Sequence, residues 1–305
     1  MRIDRPALAL LAALALTGLP ARDAAAAAGE TGFASLKLGV GARAMGMASA
    51  YVALADDPTA TYWNPAGLAS MQGAQVTAMH NEWIQDFRQE YAAVGAPFGP
   101  GTVGLAFSGY YTSELERRDD TGVLTGHFGF NDVSMAAAYA GRVAPGLDVG
   151  AAARYLREMI DQEDAKTFIF DLGAKYRVRE TGLTFGGAVQ NLGGDPTLVT
   201  EKIPLPRMVR LGGAYERAIP GLHGKATLST EFRKARAEDA RFHAGGEFEY
   251  KEQVALRVGG KFGYDAEDVS FGLGLTRGRV RFDYALVPLS SNLGTTHFFS
   301  LTARL

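Results

Sequence analysis

The chain has 305 residues, a formal net charge of −2, no cysteine and 38 glycines. The absence of cysteine excludes a disulfide framework, a thiolate metal site and a catalytic thiol. The near-neutral net charge does not indicate the basic surface that nucleic-acid binding requires. Glycine exceeds its average usage of roughly 7%, and most glycines fall within strand-like segments, where small residues relieve crowding in a curved sheet.

The first 28 residues have the pattern of an export signal. Arg2 and Arg5 precede an apolar run at residues 7–19, which is followed by a stretch of small residues suited to cleavage. The apolar run is too short to cross a bilayer as a helix, and it has the charge, core and exit of a signal peptide. We therefore expect residues 1–28 to be a signal peptide.

Residues 29–73 do not alternate like strands and are rich in Gly, Ala and Met. The segment is apolar and compact rather than polar and low in complexity, so it does not have the composition of a disordered linker. We predict that it is an N-terminal plug folded into the lumen of the barrel formed by residues 74–305. The alternative is a loose periplasmic lead-in.

From residue 74 onwards the sequence predicts fourteen strands of alternating apolar and polar residues. In the clearest segment, residues 254–262, the even positions are apolar or Gly, while Arg257 and Lys261 occupy the other phase. Strand side chains alternate between faces, so one face is compatible with hydrocarbon and the other is polar. The predicted strands are 74–83, 89–98, 101–111, 130–142, 147–158, 166–178, 182–191, 207–218, 222–233, 241–251, 254–264, 268–276, 279–287 and 296–305.

The charged residues of each strand keep to one phase. Phe168, Phe170 and Leu172 oppose Asp171 and Lys175, and other strands repeat this pattern. A lipid-facing Arg or Lys at the bilayer midplane would cost about 2–4 kcal/mol. The charged face is therefore predicted to be the lumen, and the apolar face to contact outer-membrane lipid.

Short and long connections alternate along the barrel region. Short turns on the periplasmic side and longer loops outside are the rule for barrels of the bacterial outer membrane. A soluble β-sandwich shares the strand alternation but has no reason to sort its loops in this way. The tight turns are centred on residues 99–100, 144–146, 179–181, 220–221, 252–253 and 277–278, and the longer connections are 112–129, 159–165, 192–206, 234–240 and 288–295.

Two regions resemble a known family. The runs Gly41-Ala42-Arg43-Ala44-Met45-Gly46 and Trp63-Asn64-Pro65-Ala66-Gly67-Leu68 resemble the N-terminal signature of the PorV/PorQ family, and residues 282–301 resemble its C-terminal hairpin. That family belongs to the wider FadL-like outer-membrane superfamily. The resemblance implies an all-β protein with a 14-stranded antiparallel transmembrane β-barrel and an N-terminal hatch, in which Asn64, Pro65 and Ala66 match the FadL-like NPA motif.

The resemblance implies two different functions. PorV-type members serve type IX secretion by holding the C-terminal signal domain of exported cargo at the cell surface, and PorQ-type members are linked to the same machinery. FadL-like members take up hydrophobic small molecules such as long-chain fatty acids. We predict the secretion-related function, with type IX components or cargo domains as partners, and keep the uptake channel with a hydrophobic ligand as the alternative.

The candidate ligand-binding or hatch residues all lie in the predicted plug. An apolar cavity with a few polar groups is what a hydrophobic ligand needs, and an arginine suits a ligand carboxylate. The alternative is that these side chains only pack the plug against the barrel wall. The candidates are Arg43, Met45, Met47, Tyr51, Tyr62, Trp63, Asn64, Pro65 and Ala66.

No catalytic residue, metal site or cofactor is predicted. The five histidines are far apart in sequence and form no His-x-x-x-His spacing for zinc. The acidic pairs at residues 56–57 and 119–120 lack the further oxygen ligands that calcium requires. A transport or secretion function is therefore favoured over an enzyme.

Overall fold

The computed structural model describes residues 31–290 and 292–305, in which fourteen antiparallel strands close into a barrel. The predicted signal peptide, residues 1–28, lies outside the described residues. Strand alternation and turn chemistry specify this architecture, and the prediction of a 14-stranded barrel is confirmed. The barrel strands are β1 (Gln75–Glu82), β2 (Arg88–Phe98), β3 (Gly101–Arg118), β4 (Leu124–Ala144), β5 (Leu147–Ile160), β6 (Glu163–Arg177), β7 (Leu183–Gly193), β10 (Met208–Ile219), β11 (Gly224–Ala235), β12 (Arg241–Tyr250), β13 (Val254–Phe262), β14 (Val269–Arg277), β15 (Val280–Leu289) and β16 (Gly294–Arg304), while β8 (Thr197–Leu198) and β9 (Glu201–Lys202) form a separate two-stranded hairpin.

The helices of the described residues are all short. No helix in this part of the chain is long and apolar enough to cross a membrane. Two α-helices span Ala42–Gly46 and Ala60–Trp63, and 3-10 helices span Ala34–Lys37, Pro65–Ser70 and Pro220–Leu222.

The barrel closes where its first strand pairs with its last. Gln75 lies opposite Arg304 and Glu82 opposite His297, and the backbone N–H of Leu305 donates to the carbonyl of Ala74 at 2.9 Å. Closure pairs the backbone groups that an open sheet would leave at its edges.

The two faces of the wall differ as the phase argument predicts. On β13, Leu256 and Val258 are 60% and 55% exposed on the outside, whereas Arg257 and Lys261 are buried inside. On β6, Phe168 and Phe170 face outward, while Asp171 is fully buried inside. The charges therefore lie in the lumen.

The six predicted tight turns lie at one end of the barrel, which we call the short-turn end; the other connections lie at the loop end. The predicted connection 159–165 is wrong, because β5 ends at Ile160 and β6 begins at Glu163, which leaves a two-residue turn. The predicted connection 112–129 is wrong, because β3 and β4 continue through it and leave only a turn at residues 119–123. Thr112 pairs with Phe130 and Glu116 with His127 along this extension. Apolar and polar residues alternate only in a strand that has one buried face. The extension is exposed to water on both faces, so its sequence does not alternate.

The predicted connection 192–206 contains the β8–β9 hairpin and then turns inward. Leu205 is fully buried and packs with Leu156 and Ile169 of the wall. This loop therefore covers part of the loop end of the lumen.

Candidate functional site

The segment that precedes the barrel lies in its lumen. Residues 39–68, which we call the plug segment, are buried throughout except for Asp56, which is half-buried. The 3-10 helix Pro65–Ser70 packs against β4, β5 and β6, and the helix Ala42–Gly46 packs against β14 and β15. The plug segment thus spans the lumen from one wall to the other.

Inward-facing glycines let the plug backbone touch the wall. A Cβ atom at Gly150 of β5 would lie 2.5 Å from the carbonyl carbon of Pro65, and one at Gly259 of β13 would lie 2.5 Å from that of Met47. Side chains at these positions would collide with backbone, which cannot rotate away. The glycines that the sequence analysis attributed to sheet curvature therefore also make room for the plug.

Arg43 ties the plug segment to the wall by an ion pair. Its guanidinium donates to both carboxylate oxygens of Glu247 on β12, at 2.9 and 3.1 Å, and to Asp56 at 3.0 Å. Glu247 also accepts from Arg257 at 2.6 Å. The predicted ligand for Arg43 was a free carboxylate, and in this conformation protein carboxylates occupy that place.

Glu231 on β11 makes a second connection. One carboxylate oxygen accepts from the backbone N–H groups of Tyr51 and Val52 at 3.0 and 2.9 Å. The other oxygen forms an ion pair with Arg210 at 2.5 Å. The guanidinium of Arg210 in turn lies 4.9 Å from the centre of the Trp63 ring. Every oxygen of this fully buried carboxylate is therefore satisfied.

The Asn64, Pro65 and Ala66 motif closes the plug against β6. The Asn64 amide donates to the carbonyls of Val52 and Ala174 at 2.9 and 3.1 Å, and its oxygen accepts from the Ala66 N–H at 3.1 Å. Pro65 begins the 3-10 helix that follows. Asn64 thus caps a helix and crosslinks plug and wall at once.

The remaining candidates pack against one another. The Trp63 ring contacts the rings of Tyr62 and Tyr51 edge-on, with centres 5.1 and 5.9 Å apart. Met45 and Met47 are buried in the same cluster. Cavities of about 10 and 20 Å³ flank Arg43 and Tyr62, and each has room for about one water molecule. These residues fill the lumen in this conformation.

An aromatic cluster at the loop end was not predicted. Phe87 stacks on Tyr110 with ring centres 4.8 Å apart, and Phe130 contacts both rings edge-on. Trp83 lies edge-on to Phe298 at 6.4 Å. Tyr110 and Phe130 have the inward phase of their strands, so strand alternation could have predicted that their rings face the lumen. Trp83 and Phe87 belong to the β1–β2 connection, where alternation does not predict which way a side chain faces.

The chain approaches the plug from the loop end. The Phe33 N–H donates to Glu158 at 2.8 Å, and Lys37 pairs with Glu238 of the β11–β12 loop at 3.1 Å. Burial by itself would raise the pKa of Glu238, but the charges of Arg233 and Lys37 outweigh it and hold the pKa below its ordinary value. Glu238 therefore stays ionised as an anchor for this segment.

The histidines and acids of the described residues bring no metal site together, since no group of three or more of them is placed to hold an ion. His243 is buried in the lumen, where its Nε2 lies 2.8 Å from the hydroxyl of Tyr264.

Several solved structures share this fold. The CymD monoaromatic hydrocarbon channel aligns with a TM-score of 0.61 at 12% identity, over 88% of this chain and 98% of that one. A Pseudomonas aeruginosa FadL homologue aligns with a TM-score of 0.56 at 11% identity, over 87% of this chain and 97% of that one. The Pseudomonas putida toluene transporter TodX gives 0.56 at 11% identity, over 87% and 96%. The chain therefore has a FadL-like fold.

Sequence comparison gives the family. None of the curated proteins matches the chain, and the resemblance to the PorV/PorQ family stays a prediction. The sequence model of the Uncharacterised protein family (UPF0164) matches residues 11–166, just over half of the chain. The chain belongs to this family, UPF0164.

Proposed function

We propose that this protein is a barrel of the bacterial outer membrane that admits hydrophobic small molecules through a plugged lumen, without catalysing a reaction. The observation that carries the proposal is the filled lumen with an aromatic cluster at its loop end. This is the alternative that the sequence analysis kept open, and the FadL-like fold supports it better than the secretion function.

The outer face of the barrel suits a lipid bilayer. Large apolar side chains cover it, including Leu105, Phe170, Leu228, Leu256 and Phe271, which are between 48% and 63% exposed. Monomeric soluble proteins rarely expose contiguous apolar patches of more than a few hundred Å². In a bilayer these side chains contact lipid hydrocarbon instead of water, so their exposure carries no free-energy cost. In that position the short turns face the periplasm.

The membrane proposal predicts a large effect at the midplane. Leu172→Arg on the outer face of β6 should destabilise the barrel in lipid vesicles by about 2–4 kcal/mol, because an arginine there enters hydrocarbon. The control Val123→Arg, in the exposed turn between β3 and β4, should change stability by less than about 0.5 kcal/mol. Urea unfolding in vesicles measures both, and equal effects would contradict the proposed bilayer position.

The lumen is not an open pore for hydrophilic solutes. The plug segment is anchored through Arg43, Glu231 and Asn64, and the cavities beside Arg43 and Tyr62 hold about one water each. Passage therefore requires the plug to move, with Arg43, Met45, Met47, Tyr51, Tyr62, Trp63, Asn64, Pro65 and Ala66 as the proposed hatch and ligand-binding residues. A hydrophobic molecule, which has a low desolvation cost, can stay bound at an apolar site until the plug moves.

The aromatic cluster is the proposed first site for the ligand. The double variant Phe87→Ala/Tyr110→Ala should weaken binding of toluene to the purified protein by about 1–3 kcal/mol, since two ring contacts are lost. The control Phe168→Ala removes an aromatic ring from the outer face instead. Calorimetry of binding and uptake of labelled toluene into proteoliposomes test the proposal; wild-type protein that neither binds nor admits toluene or a fatty acid would overturn it.

A second candidate is the type IX secretion function that the PorV/PorQ resemblance implies. It is favoured by the β3–β4 extension, whose strands of 18 and 21 residues exceed the roughly 9–11 that span a bilayer. Val123 and Leu124 are exposed at its end. If this extension holds cargo, Val123→Asp/Leu124→Asp should release proteins with type IX C-terminal domains from the cell surface while toluene uptake is unchanged.

A further inference from the structure

The short-turn end of the barrel holds a large open vestibule that neither proposed function uses. It has a volume of about 1750 Å³ and lies among the short-turn ends of β10–β16 and β1. The vestibule forms on this side because the 3-10 helix Pro65–Ser70 occupies the lumen beside β4, β5 and β6. Its size exceeds the roughly 300–1,000 Å³ of small-molecule sites.

Among the residues that line the vestibule, six are cations and two are acids. Lys225 pairs with Glu216 and Glu249, and Arg281 pairs with Asp57 and Asp283. Within the part of the chain that the structure describes, the other four form no ion pair, and Glu252 is the additional acid in the lining. These four cations are Lys251, Arg277, Arg279 and Arg304.

The opposite end of the barrel carries the acids. The loop-end connections contain Asp119, Asp120, Asp161, Asp265 and Asp268. The charge therefore changes sign along the barrel axis, from acidic at the loops to basic at the vestibule. Such a field attracts anionic partners to the basic end and raises their rate of association.

One vestibule cation also contacts the plug. Arg281 donates to Asp57 of the plug segment at 3.2 Å and to Asp283 of its own strand at 2.8 Å. A carboxylate that enters the vestibule competes with Asp57 for this guanidinium. An anion in the vestibule would therefore weaken one contact of the plug segment, because both would share this arginine.

We propose that the vestibule docks an acidic segment of a periplasmic protein, and that docking loosens the plug segment through Arg281. Arg281 and Arg304 have the inward phase of β15 and β16, which Asp283 and Ser300 share, so an anionic occupant reaches them through the mouth of the lumen rather than from the bilayer. The volume suits a folded-back peptide better than a single small anion. The periplasmic location rests on the proposed orientation, whereas the binding itself does not.

The test uses the full protein in nanodiscs and a fluorescent peptide in which Glu alternates with Gly. The peptide should bind, its counterpart with Gln in place of Glu should not, and affinity should fall when the Debye length shortens from about 30 Å to about 8 Å between 0.01 and 0.15 M salt. Lys251→Gln/Arg279→Gln/Arg304→Gln should weaken binding at least about tenfold.

The matched control is Arg117→Gln/Arg118→Gln/Arg157→Gln, which removes three exposed cations from the loop end. Equal losses in the two triple variants, or equal binding of the Glu and Gln peptides, would overturn the docking site. Free glutamate or phosphate binding as tightly as the peptide would assign it to small anions instead. Hydrogen exchange at residues 51–64 should rise when the peptide binds, and unchanged exchange would refute the link through Arg281.

Discussion

Gly173→Val/Gly259→Val is expected to expel the plug segment from the lumen while the barrel stays closed. A Cβ atom at Gly173 would lie 2.9 Å from Pro65 Cδ, and one at Gly259 would lie 2.6 Å from the backbone nitrogen of Ala48. Overpacking costs about 1–3 kcal/mol per site where side chains can adjust. Here the opposing atoms include backbone atoms, which cannot rotate away from the new side chains. Displacing the plug therefore costs less free energy than keeping it in the lumen with these clashes.

The readouts are ion conductance in planar bilayers and sensitivity of cells to a large hydrophilic antibiotic. Both should rise strongly in the double variant, because a lumen enclosed by fourteen strands opens when the plug leaves. The control Gly141→Val/Gly213→Val places the same side chains on the outer face, where a Cβ meets either open space or only ordinary contacts. A shift in gel mobility on heating verifies folding, and a folded double variant that stays non-conducting would refute the role of these glycines.

Glu231→Ala should destabilise the plug by about 3–5 kcal/mol. The substitution leaves Arg210 charged and buried without its partner, and it removes the acceptor of the Tyr51 and Val52 N–H groups. Removing one partner of a buried ion pair is costly because the remaining charge is uncompensated. Arg210→Met/Glu231→Gln should recover part of the loss, since Gln still offers an acceptor and no charge remains.

Urea unfolding in lipid vesicles and limited proteolysis of residues 39–68 measure this effect. The control Asp161→Ala breaks the exposed pair with Arg117 and should cost about 0–1 kcal/mol. If Glu231→Ala and Asp161→Ala gave the same change, or if the double variant were worse than Glu231→Ala, the ion pair would not be what holds the plug.

Much of the barrel could be predicted because its signals are local. Leu256 and Arg257 alternate with period two, and Arg277-Gly278 forms a tight turn, so strand number and facing follow from residues next to each other. The β3–β4 extension was not predicted because it has no buried face and so lacks alternation. The inward positions of Trp83 and Phe87 were not predicted because both residues lie in a connection, where side chains follow no strand phase.

The partners within the lumen could not be predicted in the same way. Arg43 was expected to face a ligand carboxylate, and its distance in sequence from Glu247 is 204 residues. Such contacts depend on which strands barrel closure brings together across the lumen. No period or spacing in the sequence records that information.

The sequence by itself determined the fourteen strands, the apolar outer face and the tight turns at one end of the barrel, because each follows from alternation and turn chemistry within a few residues. Only the tertiary structure decided which glycines receive the plug backbone, which carboxylates hold Arg43 and Arg210, and where the basic vestibule opens. These features arise when a closed barrel surrounds its own N-terminal segment and pairs groups that are far apart along the chain.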